Sequence, residues 1–379
     1  MRIAHFCDSH PGRPDGVTRS VETTVRLLRS AGYQVDLHRP GRVPSVPVPF
    51  RQVRVGLPFT ARPADVVHVH TTGPIGMYGF RAAADWGVPL VITWHTDLLA
   101  YADLFAEIPI GAAWCAHSLG LRWSLREYRE LTRPGAVRRA RLVELGRAMF
   151  ARTTVVIAPS AKTAAGFAEF GTTADIRVLP TPVTAVAPRP ERDTANVVLS
   201  VGRGTAEKNP ELLLQAFIRV HAARPQTRLV LLGIGRRRRH LARRIAGLGL
   251  AGHVDVLPPV PHHEVAGHYR AADVLAFTST TDTQSLVLAE AESAGLPVVV
   301  ADPGLAIRPG ATEAGRFTCE PEPDAVAAAL LRMLDDAALR STMAGQGRAA
   351  AAAYSPEVFL KRLSAIYESQ SLQESPDLG

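Results

Sequence analysis

The chain lacks several features that would assign it to particular classes of protein. Among its 379 residues are only three cysteines, Cys7, Cys115 and Cys319, which lie far apart. Such an odd, widely spaced set indicates neither a disulfide framework nor a structural zinc site. No apolar run approaches the roughly 18 residues that span a membrane, and the N-terminus has no signal-peptide pattern. We therefore expect a cytoplasmic protein.

Acidic residues are fewer than basic ones. The chain has 43 Lys and Arg against 35 Asp and Glu, a formal net charge of +8. This excess favours an anionic partner such as nucleotide phosphates or an anionic membrane surface. Nucleic acid is not an expected partner, because the sequence has neither an aromatic-lined basic sheet nor a recognition-helix pattern. Nothing in the sequence indicates the oligomeric state.

Short apolar runs alternate with helical patterns in both halves of the chain. Ile3–Cys7 and Leu90–Trp94 are examples from the first half, and Val197–Val201 and Val274–Phe277 from the second. Repeated strand–helix units predict parallel sheets with helices on both faces and with binding sites at the carboxyl ends of the strands. We predict the α/β class, with two Rossmann-like doubly wound domains that face each other and hold a ligand in the cleft between them.

The stretch 272–302 carries the strongest functional pattern. A polar loop follows its first strand and leads into a helix that we predict at about residues 285–294. Free N–H groups at such a helix tip can bind an anion. Asp282 and Glu290 lie on either side of the tip. If the helix begins near Gln284, Glu290 is about 9 Å further along its axis, at about 1.5 Å per residue. A phosphate flanked by two sugars, as in a nucleotide-sugar, fits this pattern, and an ordinary βαβ unit with two solvated acids is the alternative.

The segment TDTQSLVLAEAESAGLPVVVAD resembles the signature of family 4 retaining glycosyltransferases of GT-B architecture, in which seven residues separate two acids. Asp282 replaces the usual first Glu and Ser285 a usual glycine, and the segment is similar to the branch that glucosylates or mannosylates lipids. The resemblance implies that Glu290 binds the donor ribose and that Asp282 lies beside the hexose. It also implies that backbone N–H groups meet the phosphates and sugar at Thr283, Gln284, Ser285, Leu286 and Val287.

Two cations follow the first strand of the second domain. Arg203 comes after Gly202, and Lys208 lies five residues further on. A guanidinium fork and an ammonium point charge at a strand end can hold a diphosphate. The pattern resembles the family's G-R-x-x-x-x-K element, which implies contacts with the donor phosphates; two solvated loop cations are the alternative. The chain has no Asp-x-Asp triplet for a metal–diphosphate, so we expect no metal and no cofactor.

Weaker motifs mark three more donor-binding positions. Gly233 ends a strand in a G-x-G turn similar to one in the family, although a plain turn is as good an interpretation. Val260, in LPPVP, matches the position whose backbone meets the nucleotide base. Gly16 matches one glycine of the family's paired-glycine loop beside the donor, and Asp15 stands in the companion position.

Two histidines follow strands of the first domain. His95, in WHTD, resembles the family's T-x-H-T/D element, which implies that it contacts the transferred hexose and stabilises charge in the transition state. A histidine that is only hydrogen-bonded in place is the alternative. His70 ends the preceding strand, and we expect a structural or acceptor-side role for it.

Arginines in the first domain recur at helical spacing. Arg122, Arg126, Arg129 and Arg133 accompany two tryptophans, Trp114 and Trp123. A cationic amphipathic helix of this kind can lie on an anionic bilayer, and a solvated helix face is the alternative that we favour. The first interpretation would make the protein peripheral on the inner membrane face.

We predict an N-terminal, acceptor-binding domain at residues 1–183, a proline-rich linker at 184–195 and a nucleotide-sugar-binding domain at 196–353. The resemblance implies that a final helix, at 354–368, crosses back to the first domain. The polar residues 369–379 should be a disordered tail.

The predicted activity is transfer of a hexose from a UDP- or GDP-linked donor to an acceptor hydroxyl. The resemblance implies retention by a metal-independent, same-face mechanism rather than through a covalent intermediate on Asp282. The acceptor is a lipid, a soluble natural product or a sugar phosphate. Two alternatives stay open. One is a sugar-nucleotide epimerase of similar shape, and the other is a non-catalytic nucleotide-sugar-binding protein, for which Asp282 and Ser285 are the main support.

Overall fold

The computed structural model describes residues 1–11, 15–47, 54–105, 107–188, 190, 196–305 and 316–373. The chain forms two compact units, the first comprising residues 1–182 with the C-terminal segment from Pro356, and the second comprising Val183–Ser355. Each unit contains a six-stranded parallel sheet with helices. The predicted two-domain α/β class is confirmed. Of the predicted linker, residues 189 and 191–195 lie outside the described residues.

The elements of the first unit alternate as the sequence predicts. Its strands are β1 (Arg2–Phe6), β2 (Gln34–His38), β3 (Ser45–Pro47), β4 (Arg54–Gly56), β5 (Val66–Val69), β6 (Leu90–Thr93), β7 (Val155–Ala158) and β8 (Asp175–Val178). Its first seven helices are α1 (Gly16–Ser30), α2 (Pro74–Trp86), α3 (Leu98–Tyr101), α4 (Glu107–Ser118), α5 (Leu125–Glu130), α6 (Ala136–Phe150) and α7 (Ala161–Gly166). A 3-10 turn follows at Phe167–Phe170.

The second unit repeats the alternation of strands and helices. The strands are β9 (Val197–Val201), β10 (Arg228–Leu232), β11 (Val254–Leu257), β12 (Val274–Phe277), β13 (Val298–Val300) and β14 (Phe317–Thr318). The helices are α8 (Pro210–Ala223), α9 (Arg238–Gly247), α10 (His262–Ala271), α11 (Leu286–Ser293), α12 (Pro323–Asp335) and α13 (Ala337–Ala352). The chain then continues into α14 (Pro356–Gln373), which is part of the first unit. Short 3-10 turns lie at Ala206–Lys208 and Pro303–Leu305.

Both faces of each sheet are buried, because helices cover them. In β12, for example, Val274 and Ala276 pack into one apolar cluster while Leu275 and Phe277 pack into another. A strand that is covered on both faces needs apolar residues at every position. This requirement explains why the short Val- and Leu-rich runs could be recognised as strands.

The strand order of each sheet reverses at one point. The order is β2-β1-β5-β6-β7-β8 in the first unit and β11-β10-β9-β12-β13-β14 in the second. Connections on the two sides of the reversal run to opposite faces, which opens a crevice at the carboxyl ends of the two central strands. The reversal lies between β1 and β5 in the first unit and between β9 and β12 in the second.

The last helix belongs to the first unit. Tyr367 of α14 is buried, and its hydroxyl lies 2.6 Å from Nδ1 of His68 on β5. The helix runs to Gln373, so the expectation of a disordered tail from residue 369 is wrong for residues 369–373. The expectation rested on polarity alone, whereas these residues include no helix breaker; residues 374–379 lie outside the described residues.

The arginines predicted to share one helix do not do so. Only Arg126 and Arg129 lie in α5, which has six residues, and Arg122 and Arg133 lie outside it. Left-handed glycines at 120 and 135 interrupt the helical path on either side. The single cationic amphipathic helix is therefore a wrong prediction. None of the described helices is long and apolar enough to cross a membrane.

Candidate active site

Hydroxyl groups connect the two loops at the reversal point of the second sheet. The loop after β12 donates two hydrogen bonds to the loop after β9. Ser279 Oγ donates to the Glu207 carbonyl at 2.6 Å, and Thr278 Oγ1 donates to the Lys208 carbonyl at 3.0 Å. Because these bonds fix the backbone around Lys208, its side chain starts from a defined position at the crevice.

Lys208 and Asp282 meet across this crevice. Lys208 Nζ lies 2.7 and 2.8 Å from the two carboxylate oxygens of Asp282, although the residues are 74 positions apart. The two side chains are only 22% and 13% exposed, so solvent screens their attraction less than at an open surface. The structure thus brings together two residues that were predicted separately to contact the donor.

Arg203 is held by an acid that the sequence analysis missed. Arg203 Nη2 donates to Glu207 Oε1 at 3.1 Å, and Thr205 Oγ1 donates to the same oxygen at 2.5 Å. Glu207 is buried, and its Oε2 has no hydrogen-bond partner among the described residues. An acid placed between the two cations predicted to bind phosphate, one position before Lys208, is the sequence signal that could have identified it.

Glycines bring the neighbouring backbones close together. Gly233 has φ +94°, and a Cβ there would lie 2.9 Å from the Gly202 carbonyl oxygen, so both conformation and space require glycine. Gly202 N–H in turn donates to the Leu232 carbonyl at 2.9 Å. A small cavity opens beside these turns, lined by residues that include Gly202, Lys208 and Ser279.

The tip of α11 is free of a side-chain cap. Ser285 occupies the N-cap position with φ +64° and its side chain makes no capping hydrogen bond, and the first turn contains no acid. Thr283 and Gln284 form the preceding loop, and Leu286 and Val287 are the first two residues of the helix. A positive φ is a conformation that glycine adopts without strain and serine does not. Backbone N–H groups at this tip can bind an anion.

Glu290 lies inside α11 and is 3% exposed. Its Oε2 accepts a hydrogen bond from the buried Tyr269 hydroxyl at 2.8 Å, and its Oε1 lies 2.9 Å from His262 Nε2. His262 is the first residue of α10, two positions after Val260, and its side chain is 58% exposed. A diol would compete with this exposed imidazole for Oε1. The ribose role of Glu290 stays a prediction, and its two partners were not identified from the sequence.

In the first unit, His95 follows β6 and is the end of a row of histidines. Its Nε2 lies 3.1 Å from His70 Nδ1, and His70 Nε2 lies 2.9 Å from Nδ1 of the buried His5. Burial lowers the pKa of His95 to about 4 and that of His5 to about 3. Burial also lowers the pKa of His70 well below its usual value. All three imidazoles are therefore neutral at pH 7.

Gly16 begins α1, and the preceding Asp15 is its N-cap. The Asp15 carboxylate accepts a hydrogen bond from Thr18 N–H at 2.8 Å, with an extended φ of −126°. Asp15 therefore acts as a helix cap in the position where the family resemblance implies a second glycine. A Cβ on Gly16 would meet no atom within 4 Å, so the described residues place no steric demand on glycine there.

The reversal point of the first sheet is filled by Asp8. One carboxylate oxygen accepts from Ile75 N–H at 2.8 Å, and the other accepts from Gly76 N–H at 3.1 Å and from Thr71 Oγ1 at 2.7 Å. Burial raises the pKa of this carboxyl, while its hydrogen bonds lower it. The tip of α2 is therefore already occupied by an acidic group of the chain itself.

Two family models cover most of the chain. Residues 14–186 match the model described as Glycosyltransferase Family 4, and residues 185–350 match Glycosyl transferases group 1. A D-inositol 3-phosphate glycosyltransferase of Streptosporangium roseum is 30% identical over 318 residues, which are 80% of this chain and 69% of that protein. The chain belongs to glycosyltransferase family 4. The predicted family and its hexosyltransferase activity are confirmed.

Two further comparisons place this glycosyltransferase among its relatives. An alpha-monoglucosyldiacylglycerol synthase of Streptococcus pneumoniae is 25% identical over 337 residues, covering 79% of this chain and 70% of that protein. The solved structure of Anabaena HepE with UDP and glucose has a TM-score of 0.68 at 18% identity, covering 97% of this glycosyltransferase and 100% of HepE. This likeness confirms the GT-B type of fold.

Proposed function

We propose that this glycosyltransferase moves a hexose from a nucleoside-diphosphate sugar to an acceptor hydroxyl with retention of anomeric configuration and without a metal ion. The observation that supports it most is the Lys208–Asp282 pair at the reversal point of the second sheet, beside a helix tip that has no side-chain cap. A cation, an acid and free N–H groups at one strand end are what a sugar diphosphate requires.

In this proposal the diphosphate changes the partner of Lys208 and leaves Arg203 in place. Without donor, Lys208 is paired with Asp282 and Arg203 with Glu207. A diphosphate offers more charge and more acceptor oxygens than a carboxylate, so it replaces Asp282 as the partner of Lys208. Asp282 is then released to accept hydrogen bonds from the hexose. Because Glu207 is buried, its hydrogen bond holds Arg203 on the loop after β9 while Lys208 changes its partner.

The α11 tip and Glu290 complete the donor site of the proposal. The N–H groups at Leu286 and Val287 and the helix dipole stabilise the phosphate nearest the sugar. Glu290 accepts from the ribose diol through the oxygen that His262 contacts in the donor-free protein. The Val260 backbone, which precedes α10, contacts the nucleotide base.

The chemistry is a same-face displacement. The bond from C1 of the hexose to the diphosphate oxygen breaks, the acceptor oxygen bonds to C1 on the same face, and the released oxygen takes the acceptor proton. Lys208, Arg203 and the helix tip stabilise the negative charge that develops on the leaving diphosphate. We assign to His95 a hydrogen bond to the hexose, made by a neutral imidazole.

We also propose a cytoplasmic enzyme, which acts at the inner membrane face if its acceptor is a lipid. Its three cysteines are free, as in reducing compartments. The names of the relatives supply two acceptors to test, D-inositol 3-phosphate and diacylglycerol.

The decisive experiment measures nucleotide release from UDP-glucose, UDP-N-acetylglucosamine and GDP-mannose with each acceptor in EDTA, using vesicles for diacylglycerol. We expect release that depends on the acceptor and a glycoside with the anomeric configuration of the donor. A free sugar epimer formed without acceptor would indicate an epimerase, and nucleotide-sugar binding without release a non-catalytic protein. Activity lost in EDTA and restored by Mg²⁺ or Mn²⁺ would contradict metal independence.

A further inference from the structure

Three histidines of the first unit form a continuous hydrogen-bonded row. His5 and His70 have ring centroids 5.2 Å apart with planes 13° apart, and His70 and His95 have centroids 5.4 Å apart with planes 23° apart. With N···N distances of 2.9 and 3.1 Å, these rings meet edge to edge through their nitrogens rather than face to face. Each contact is therefore a hydrogen bond in the plane of the rings.

A metal site is a poorer interpretation of the same region. His5, His68 and His70 are close enough to be considered as ligands. However, His68 already uses both nitrogens, on the Tyr367 hydroxyl at 2.6 Å and the Thr93 hydroxyl at 2.7 Å. His70 also uses both, so that a metal, which needs a nitrogen lone pair from each ligand, would break several buried hydrogen bonds.

The row has two possible polarities, since each neutral imidazole carries one N–H and one acceptor nitrogen. His5 Nε2 is buried and has no partner among the described residues. If the row ran inward, this atom would be an N–H without an acceptor, which is rare in protein interiors. The outward polarity is therefore favoured.

In the outward polarity every proton in the row sits on Nδ1. His5 Nδ1–H donates to His70 Nε2, and His70 Nδ1–H donates to His95 Nε2. The acceptor nitrogen of His95 is thereby used, and its proton is fixed on Nδ1. The hydrogen bond made by one ring nitrogen determines which tautomer a histidine adopts.

We propose that His70, and His5 behind it, are positioning residues that hold His95 as a neutral imidazole with its proton on Nδ1. His95 then presents a hydrogen-bond donor to the hexose and cannot serve as a general base. The catalytic part of this inference rests on the proposed role of His95 at the hexose, whereas the tautomer itself does not.

Nitrogen NMR of histidine-labelled protein tests the tautomer without donor or acceptor. His95 signals are assigned by their loss in His95→Phe. We expect a protonated-type Nδ1 and an unprotonated-type Nε2 between pH 6 and 8, and a mixture of tautomers in His70→Phe. A wild-type His95 with its proton on Nε2, or a mixture in the wild type, would overturn the proposal whether or not the chain transfers hexose.

Kinetics of matched variants test the positioning role, with the first active donor–acceptor pair from the assay above. His70→Asn places its amide near the position of Nδ1 and can still donate to His95, whereas His70→Gln places it near Nε2 and cannot. We expect His70→Gln to lower kcat about tenfold, the worth of roughly one hydrogen bond, without changing the donor KM. His70→Asn should retain most of kcat.

His68→Phe is the control, because it removes an equally buried imidazole that packs beside His70 but hydrogen-bonds to Tyr367 and Thr93 rather than to the row. We expect it to leave kcat unchanged. Equal losses in His70→Asn, His70→Gln and His68→Phe would show a merely structural effect and overturn the positioning role. Full activity of His95→Phe would instead refute the proposed role of His95 itself, while the NMR result would still decide the tautomer.

Discussion

The two sheets reverse their strand order in the same way but use the resulting crevices differently. In the first unit the Asp8 carboxylate occupies the crevice and takes the N–H groups at the tip of α2. In the second unit a Lys208–Asp282 pair spans the crevice, and the α11 tip has no side-chain cap. The fold thus offers an anion site twice. The position of one acid, Asp8, therefore explains why the chain itself fills the anion site at the α2 tip, whereas the site at the α11 tip stays available to a ligand.

The strand ends also differ in charge. The first unit presents neutral histidines, of which burial lowers the pKa of His95 to about 4, and the second presents Arg203, Lys208 and Asp282. Neutral hydrogen-bonding groups suit a sugar, and cations suit a diphosphate. The four predictions that follow test this contrast.

Acidification should produce the largest difference between the units. Burial lowers the pKa values of His5, His68, His70 and His95, whereas unfolded histidines bind protons near pH 6.5. The unfolded state therefore gains protons first. The free energy of unfolding should fall below about pH 6.5, by up to about 1.4 kcal/mol per pH unit for each histidine, until the folded pKa values are reached.

Tryptophan fluorescence can measure this loss selectively, because Trp86, Trp94, Trp114 and Trp123 all lie in the first unit. Urea unfolding at pH 7, 6 and 5 should show a steep decline. The decline of the unfolding free energy with pH should be shallower in His5→Phe. It should be unchanged in His263→Phe, which replaces an exposed histidine. A pH-independent unfolding midpoint would contradict the buried, neutral assignment.

Lys208→Ala should have the next largest effect. If Lys208 neutralises the leaving diphosphate, its loss costs about 2–4 kcal/mol of transition-state stabilisation, roughly 30- to 1,000-fold in kcat. UDP affinity should also fall. Arg228→Ala is the matched control, since it removes another cation of this unit that pairs with Asp255 in a half-exposed ion pair at 2.8 Å. Unchanged kinetics in Lys208→Ala would remove the diphosphate assignment.

Asp8→Ala should separate stability from ligand binding. The substitution leaves two N–H groups and one hydroxyl without their carboxylate, which should lower the free energy of unfolding of the first unit by about 2 kcal/mol. UDP affinity, measured by calorimetry, should not change. Asp282→Ala should behave in the opposite way, with little loss of stability and a lower kcat. A fall in UDP affinity in Asp8→Ala would mean that the first crevice is not simply filled.

Patterns that are local in sequence predicted the fold well. The strands β9 and β12 match their predicted bounds, because each is a short apolar run whose side chains pack on both faces of the sheet. The arginine helix failed because side-chain spacing was given more weight than the glycines at 120 and 135, which adopt left-handed conformations.

Contacts between distant residues could not be predicted from one sequence. Asp8 and Gly76 are 68 positions apart, and Lys208 and Asp282 are 74 apart. The motifs named Lys208 and Asp282 as donor contacts but gave no reason to pair them. The histidine row likewise depends on the register of β1, β5 and β6, which pairs His5 with His68 and leaves His70 beside His95.

Ser285→Gly is the smallest predicted change and a direct test of the α11 tip. Ser285 has φ +64° and ψ +102°, a conformation that costs a residue with a side chain about 1–3 kcal/mol. Glycine removes this cost but loses more entropy on folding, so we expect a net gain of about 1 kcal/mol in the free energy of unfolding of the second unit. Hydrogen exchange of the α11 amides measures it.

Asn209→Gly is the matched control, because Asn209 is the other described non-glycine residue with positive φ. Asparagine tolerates this conformation, and its side chain caps α8 by accepting from Leu212 N–H at 3.2 Å, so glycine should bring no gain there. Transfer by Ser285→Gly should equal that of the wild type, because the phosphate is bound by backbone N–H groups that glycine also supplies. A large rise in kcat would mean instead that the serine misplaces the helix tip, and that the natural chain is closer to a nucleotide-sugar-binding protein than to an efficient enzyme.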